Sequence, residues 1–113
     1  MKTIDDKIFT MHAEVCKAMA SPIRLKVLSA LQNGEQSVDV MAKSLKLRKA
    51  NLSQHLAVLR QRGIVATRRD GLNIYYRCAN PKMLKACAIL REVLLEQLAE
   101  GGKLIDGINR RRK

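Results

Sequence analysis

The sequence predicts a mainly α chain with one small β-hairpin, arranged as a winged helix-turn-helix. Three observations carry that expectation. Apolar residues recur at helical spacing through most of the 113 residues. Two short helical stretches, Val38 to Leu45 and the one within Lys46 to Gly63, follow each other across a tight link. After Gly63 the period changes to alternation on both sides of Asp70-Gly71, the commonest kind of hairpin signal.

Taken in order, Thr3 and Asp6 resemble a capping box, and Ile4, Ile8, Met11, Val15 and Met19 then mark a first helix from about Ile4 to Met19. Ser21 before Pro22 supplies a cap and a first-turn proline. A second helix runs from there through Ile23, Leu25, Leu28 and Leu31 and closes at Asn33-Gly34. Ser37 caps a short third helix with Val38, Met41, Ala42 and Leu45 inward. Ile64, Val65 and Thr67, then Ile74, Tyr75 and Tyr76, are the strand formers of a two-stranded wing armed by Arg68, Arg69 and Arg77. Asn80-Pro81 opens a last helix with Met83, Cys87, Leu90, Leu94 and Leu98 on one stripe, ending at Gly101-Gly102. Ala86, Val93, Leu84 and Leu95 widen that stripe. A terminal helix this apolar in so small a chain asks to be covered by its own domain and by a second copy. The expected organisation is one domain over residues 1–102 and a basic, flexible tail over 103–113 that ends in NRRRK.

The stretch KLRKANLSQHLAVLRQRG, Lys46 to Gly63, is the most informative. Ala50, Leu52, Leu56 and Leu59 form its packing stripe, and Asn51, Gln54, His55, Val58 and Arg62 fall mostly on the other side. Arg48 and Lys49 stand at the helix start, where cations oppose the helix dipole by roughly 0.3–1 kcal/mol. An outside anion removes that conflict, and phosphate fits unpaired backbone N–H groups flanked by cations. The other reading is that both side chains extend into water.

Lys plus Arg number 22 against 10 Asp plus Glu, a formal net charge of +12 that points to an anionic polymer or surface as partner. With only Phe9, Tyr75 and Tyr76 as aromatics, a base-stacking platform for single strands or RNA is hard to build, which leaves duplex DNA. No apolar run approaches the roughly 18 residues of a membrane span, and the first ten residues carry no leader pattern, so the expectation is a cytoplasmic protein with no membrane partner. Cys16, Cys78 and Cys87 lie far apart without a CxxC pair. That argues against a disulfide scaffold or a zinc knuckle, and the odd count fits a reducing compartment. Paired carboxylates, a Gly-rich phosphate loop and a Ser/His/Asp arrangement are all missing at any spacing that demands catalysis, so an enzyme is the weakest reading.

Three segments, KAMASPIRLKVLSAL, NLSQHLAVLRQRGIV and RRDGLNIYYR, resemble the ArsR/SmtB family of small dimeric winged-helix repressors over roughly Val15 to Glu100. The resemblance implies a homodimer, dimerising through the first and last helices, that binds an inverted-repeat operator and releases it when an effector binds or modifies the protein. On that footing Asn51, Gln54 and His55 are candidates for base edges. Arg48, Lys49 and Ser53 are candidates for phosphate, and Arg62, Arg68, Arg69 and Asn73 complete the DNA-binding set. A nonspecific architectural DNA-binding protein is the rival of a different class.

The family's inducer sites do not carry over. Where arsenic-responsive members hold a Cys-x-Cys pair, this chain has Ser37 and Asp39; the zinc-type set in the last helix has no counterpart, because the two histidines are His12 and His55. Persulfide-sensing members place cysteines where this chain has Ser29 and Leu94 to Leu98. What remains is Cys16 on the first helix and Cys87 on the last, which the resemblance brings towards each other at the dimer interface. Three readings stay open there: simple packing, a thiol switch, or capture of a thiophilic metal or metalloid such as Zn(II), As(III) or Cu(I) by His12, Cys16 and Cys87. Cys78 reads as structural, and no cofactor is otherwise implied.

Overall fold

The computed structural model describes residues 4–101, as two compact units that divide between Pro81 and Lys82. Thr3 of the expected capping box, Gly102 and the basic tail lie outside the described residues. In the first unit the order is α1 (Ile4–Met19), α2 (Pro22–Ala30), a 3-10 turn (Leu31–Asn33), β1 (Gln36–Ser37), α3 (Val38–Leu45), α4 (Lys49–Gln61), β2 (Val65–Asp70) and β3 (Asn73–Cys78). The second unit holds α5 (Pro81–Ala99), whose first residue is the last of the first unit.

Local chemistry explains the boundaries. The Ser21 hydroxyl accepts from the Arg24 backbone N–H, the Ser37 hydroxyl accepts from that of Val40 at 3.2 Å, and Pro22 sits at the first helical position of α2. α2 stops at Ala30 and tightens into the 3-10 turn before Gly34, three residues earlier than the expected closure. α3 ends on Lys46 in the left-handed region (φ 57°), where Leu47 N–H donates to the Ala42 carbonyl at 2.9 Å. This turn sets α4 against α3. α4 ends at Arg62, and Gly63 (φ 72°) turns the chain into β2.

The wing differs from the expected hairpin in two respects. Its connection is Gly71-Leu72, with Asp70 and Asn73 facing each other as the last pair of β2 and β3. Gly71 alone takes positive φ there (63°), the pattern of a type II′ connection. The sheet also has a third strand, because β1 pairs antiparallel with β3, Gln36 opposite Tyr76 and Ser37 opposite Tyr75. The strand order is β1-β3-β2.

The core of this unit is Val27, Leu28, Leu31, Met41, Leu52, Leu56, Leu59, Ile64 and Val65, all almost fully buried. Ala50, expected in the packing stripe, is exposed. At 100° per residue it stands about 160–180° round α4 from Leu52 and Leu59, so it falls on the outer face. α1 buries only Ala18; Ile4, Ile8, Phe9 and Met11 of the same helix are 84%, 52%, 69% and 59% exposed. α5 buries no residue, and Ile89, Leu90, Val93, Leu94 and Leu95 are all exposed. Within these stripes Val15, Met19, Met83, Leu84, Cys87 and Leu98 are half-buried, and the remaining large apolar residues stay exposed.

Candidate nucleic-acid interface

α4 is built so that one side is fixed and the other stands clear. Leu52, Leu56 and Leu59 anchor it without exposed surface, while Ala50, Asn51, Ser53, Gln54, Ala57 and Gln61 are exposed. Gln54 sits near the middle of that outer face, flanked one turn away by Ala50 and Ala57, small residues that leave the amide unobstructed. An amide of this kind can donate and accept together, the geometry that pairs with adenine edges, and alanine methyls suit the thymine methyl.

His55 lies elsewhere. It borders the buried stripe, is half-buried, and its Nδ1 accepts a hydrogen bond from Arg24 Nε at 3.2 Å. Arg24 also donates from Nη1 to the Ala18 carbonyl at 2.9 Å, so one guanidinium ties the end of α1 to the flank of α4. Nothing in the sequence pairs residues 24 and 55, which are 31 positions apart.

At the α4 start, Arg48 is the N-cap and makes no side-chain cap bond. The intrahelical ladder begins with Leu52 N–H to the Arg48 carbonyl at 3.0 Å, so the N–H groups of Lys49, Ala50 and Asn51 point out of the helix without an intrahelical acceptor. Lys49 is paired: its Nζ lies 2.6 Å from Asp39 Oδ1 in the first turn of α3. The charge conflict seen in the sequence is therefore eased at Lys49 by a carboxylate of the chain itself. Beside this pair a groove of about 240 Å³ is lined by Ser37, Asp39, Lys49, Ser53, Asn73 and Ile74 together with Val38 and Leu72. It joins the α4 start to the wing tip, and brings Lys49, Ser53 and Asn73 of the predicted set to one place.

The wing arginines divide. Arg68 Nε donates to both carboxylate oxygens of Glu35 at 3.0 Å, its guanidinium lies 4.8 Å from the Tyr75 ring centroid, and Asp70 is 3.9 Å away. The hydrogen bond from Arg68 holds the Glu35 carboxyl below its ordinary value; partial desolvation opposes this, and the charges of Arg68 and Arg77 add to it. Arg69 is exposed on the opposite face of the ribbon, in register with Ile74. Arg62, at the far end of α4, pairs with Glu14 of α1 at 3.2 Å. It stands roughly 20 Å along the helix from Arg48, given 1.5 Å per residue.

Cys16 is exposed, Cys78 and Cys87 are half-buried, and all three are free thiols. Cys78 Sγ donates to the Asn80 carbonyl at 3.3 Å, at the turn out of β3. Among the described residues no group of three or more His, Cys, Asp or Glu is arranged to hold a metal ion within one chain. No described helix is long and apolar enough to cross a membrane.

The sequence and the fold both match known regulators. Residues 21–67 match the model of the bacterial regulatory protein, arsR family. The chain is 35% identical, over 84% of each chain, to the HTH-type transcriptional regulator Rv0081 of Mycobacterium tuberculosis. It superposes on the homodimeric winged helix-turn-helix DNA-binding domain of a Mycobacterium bovis protein, described as a possible ArsR-family transcriptional regulator. That match has a TM-score of 0.77 and 30% identity over 87% of this chain and 91% of the other. The crystal structure of the transcriptional repressor BigR from Xylella fastidiosa gives a TM-score of 0.72 at 33% identity, over 81% of this chain and 96% of that one. Fold, sequence and exposed helix face agree: the chain belongs to the arsR family of bacterial regulatory proteins, which are DNA-binding transcriptional regulators rather than enzymes.

Proposed function

We propose that this protein is a transcriptional repressor that binds an inverted-repeat operator as a homodimer, with one α4 in the major groove of each half-site. The observation that carries the reading is the outer face of α4, where Gln54 stands free between Ala50 and Ala57 over a helix locked by three buried leucines. Gln54 and Asn51 read base edges; Arg48, Lys49 and Ser53 hold phosphate at the helix start; Asn73 and Arg69 reach the backbone or minor groove from the wing. His55, tied to Arg24, sets the angle of α4 rather than touching bases. A two-fold dimer places half-site centres one helical turn apart, roughly 34 Å. The uncovered apolar faces of α1 and α5 support a dimer formed through those helices.

The test is a competition assay on a site selected from random sequence. Gln54→Ala is expected to cost roughly 1–3 kcal/mol on that site and to relax preference at one position, whereas Lys49→Ala weakens the selected site without changing which bases are preferred and lowers the salt slope there by about one. Equal loss on selected and random DNA for Gln54→Ala removes it from the reading set. A preference below roughly a thousandfold at physiological salt favours the architectural class instead.

For release, the reading is a thiol-based effector acting at Cys16 and Cys87, supported by the exposure of the Cys16 thiol on a helix whose apolar face is open. Oxidation joins the two thiols across the dimer interface, passing two electrons and two protons to the oxidant. A thiophilic metal or metalloid held by Cys16 and Cys87 with His12 is the second route, since His12 lies one turn before Cys16.

A further inference from the structure

Between Lys7 and Arg91 the chain has four acidic residues, Glu14, Glu35, Asp39 and Asp70, and every one is ion-paired. Their partners are Arg62, Arg68, Lys49 and again Arg68, each a cation that the sequence assigned to DNA. The same span offers Lys17, Lys26, Lys43, Lys46 and Arg60 as alternatives, and none of the four pairs with these. The four carboxylates of this span are thus placed on cations that the sequence marks as DNA-binding candidates, and of these Lys49 stands at the start of α4.

We infer that Asp39, with Glu35 as its counterpart on the wing, is a specificity-determining residue: it holds Lys49 in an intramolecular ion pair that DNA phosphate must displace. The inference rests on the DNA-contact reading of α4 given above. Lys49 and Asp39 side chains are 66% and 62% exposed, so the pair is open to water and exchangeable rather than a fixed element of the core. It lies in the groove with Ser37, Ser53 and Asn73, where a phosphate would have to seat.

A chain of net charge +12 is drawn to any polyanion, and nonspecific affinity rises with each phosphate that a cation neutralises. A held cation contributes to that attraction only after it leaves its carboxylate. Random DNA offers α4 no matching base edges to offset the exchange, whereas the operator does. The free cations Arg48 and Arg69 supply encounter, and the held ones engage after the bases match.

The experiment measures binding of the full chain to the selected operator and to random duplex across a salt series. Asp39→Asn is expected to steepen the salt slope on random DNA by about 0.9 and to raise random-DNA affinity about threefold, with a smaller gain on the operator, so that the preference falls. Glu35→Gln does the same through Arg68. In a Lys49→Met background Asp39→Asn should change neither slope nor preference, because no cation remains to be freed. An unchanged slope for Asp39→Asn overturns the inference. So does an equal gain in the Lys49→Met background, which would mean through-space repulsion of phosphate. Both of those results leave the DNA-contact reading intact provided Lys49→Met alone weakens binding. If Lys49→Met changes neither affinity nor slope on either DNA, the reading of the α4 start fails and the inference fails with it.

Discussion

Arg68 shows how much one side chain can be committed before any ligand arrives. It is held by Glu35, stacked near Tyr75 and approached by Asp70, and the pair with Glu35 joins the segment before β1 to β2. Glu35 lies below its ordinary value of 4.5 and Arg68 above its own, each because of the hydrogen bond with the other. A carboxyl depressed in the folded state contributes its stabilisation fully above the unfolded value and loses it as pH falls through the lower folded one. The wing clamp therefore persists at neutral pH and opens only in acid. Carboxyl-carbon NMR should place the Glu35 midpoint under 4.5 in the wild-type protein, and Arg68→Met should move it upward. Equal midpoints in the two proteins would show that the clamp is not formed in solution.

At the scale of elements, α4 separates two jobs by face, and each job fails in its own way. Leu56→Ala removes a fully buried side chain and is expected to cost roughly 2–5 kcal/mol of folding stability, read by thermal or denaturant unfolding, whereas Gln54→Ala, on the exposed face, should leave the melting curve nearly unchanged. Helix limits were legible because their signals are local: Ser21-Pro22 and Ser37 cap α2 and α3, and Gly63 ends the turn after α4. Ala50 was misplaced because a small apolar residue looks like packing until the 100° step is followed round the helix. β1 was missed for a different reason. Two residues, Gln36 and Ser37, carry no alternation to detect, and Ser37 also reads as a cap. The tethers Arg24–His55, Asp39–Lys49 and Glu35–Arg68 were illegible because charge pairing between distant positions has no period. The sequence showed which residues were charged, and the fold showed which of them were already engaged.

At the scale of the molecule, most of the large exposed apolar side chains among the described residues lie on the first and last helices, and two of the three thiols lie on those same helices. Apolar side chains such as Phe9, Leu90 and Leu95 at 60% exposure or more are costly to leave in water, and burying them against a second copy is the physical reason for a dimer. On the proposed reading, a chemical change at Cys16 or Cys87 acts through a dimer seam formed by those helices on the spacing of the two α4 helices. The wild-type dimer bound to its operator should dissociate from DNA on treatment with an oxidant, a sulfane-sulfur donor or a thiophilic metal ion, followed by fluorescence anisotropy. Sedimentation will tell whether the dimer itself survives. Cys16→Ser and Cys87→Ser should each stay bound, while Cys78→Ser, whose thiol is engaged with the Asn80 carbonyl at the turn out of β3, should release as the wild type does. A disulfide further requires the two Cα atoms to come within about 7 Å across the seam, which a non-reducing gel of the treated protein reports as a cross-linked dimer. If all three serine variants release as readily as the wild type, the thiols are packing residues. The effector must then act through other side chains, with the polar groove of Ser37, Asp39, Lys49, Ser53 and Asn73 the first place to probe.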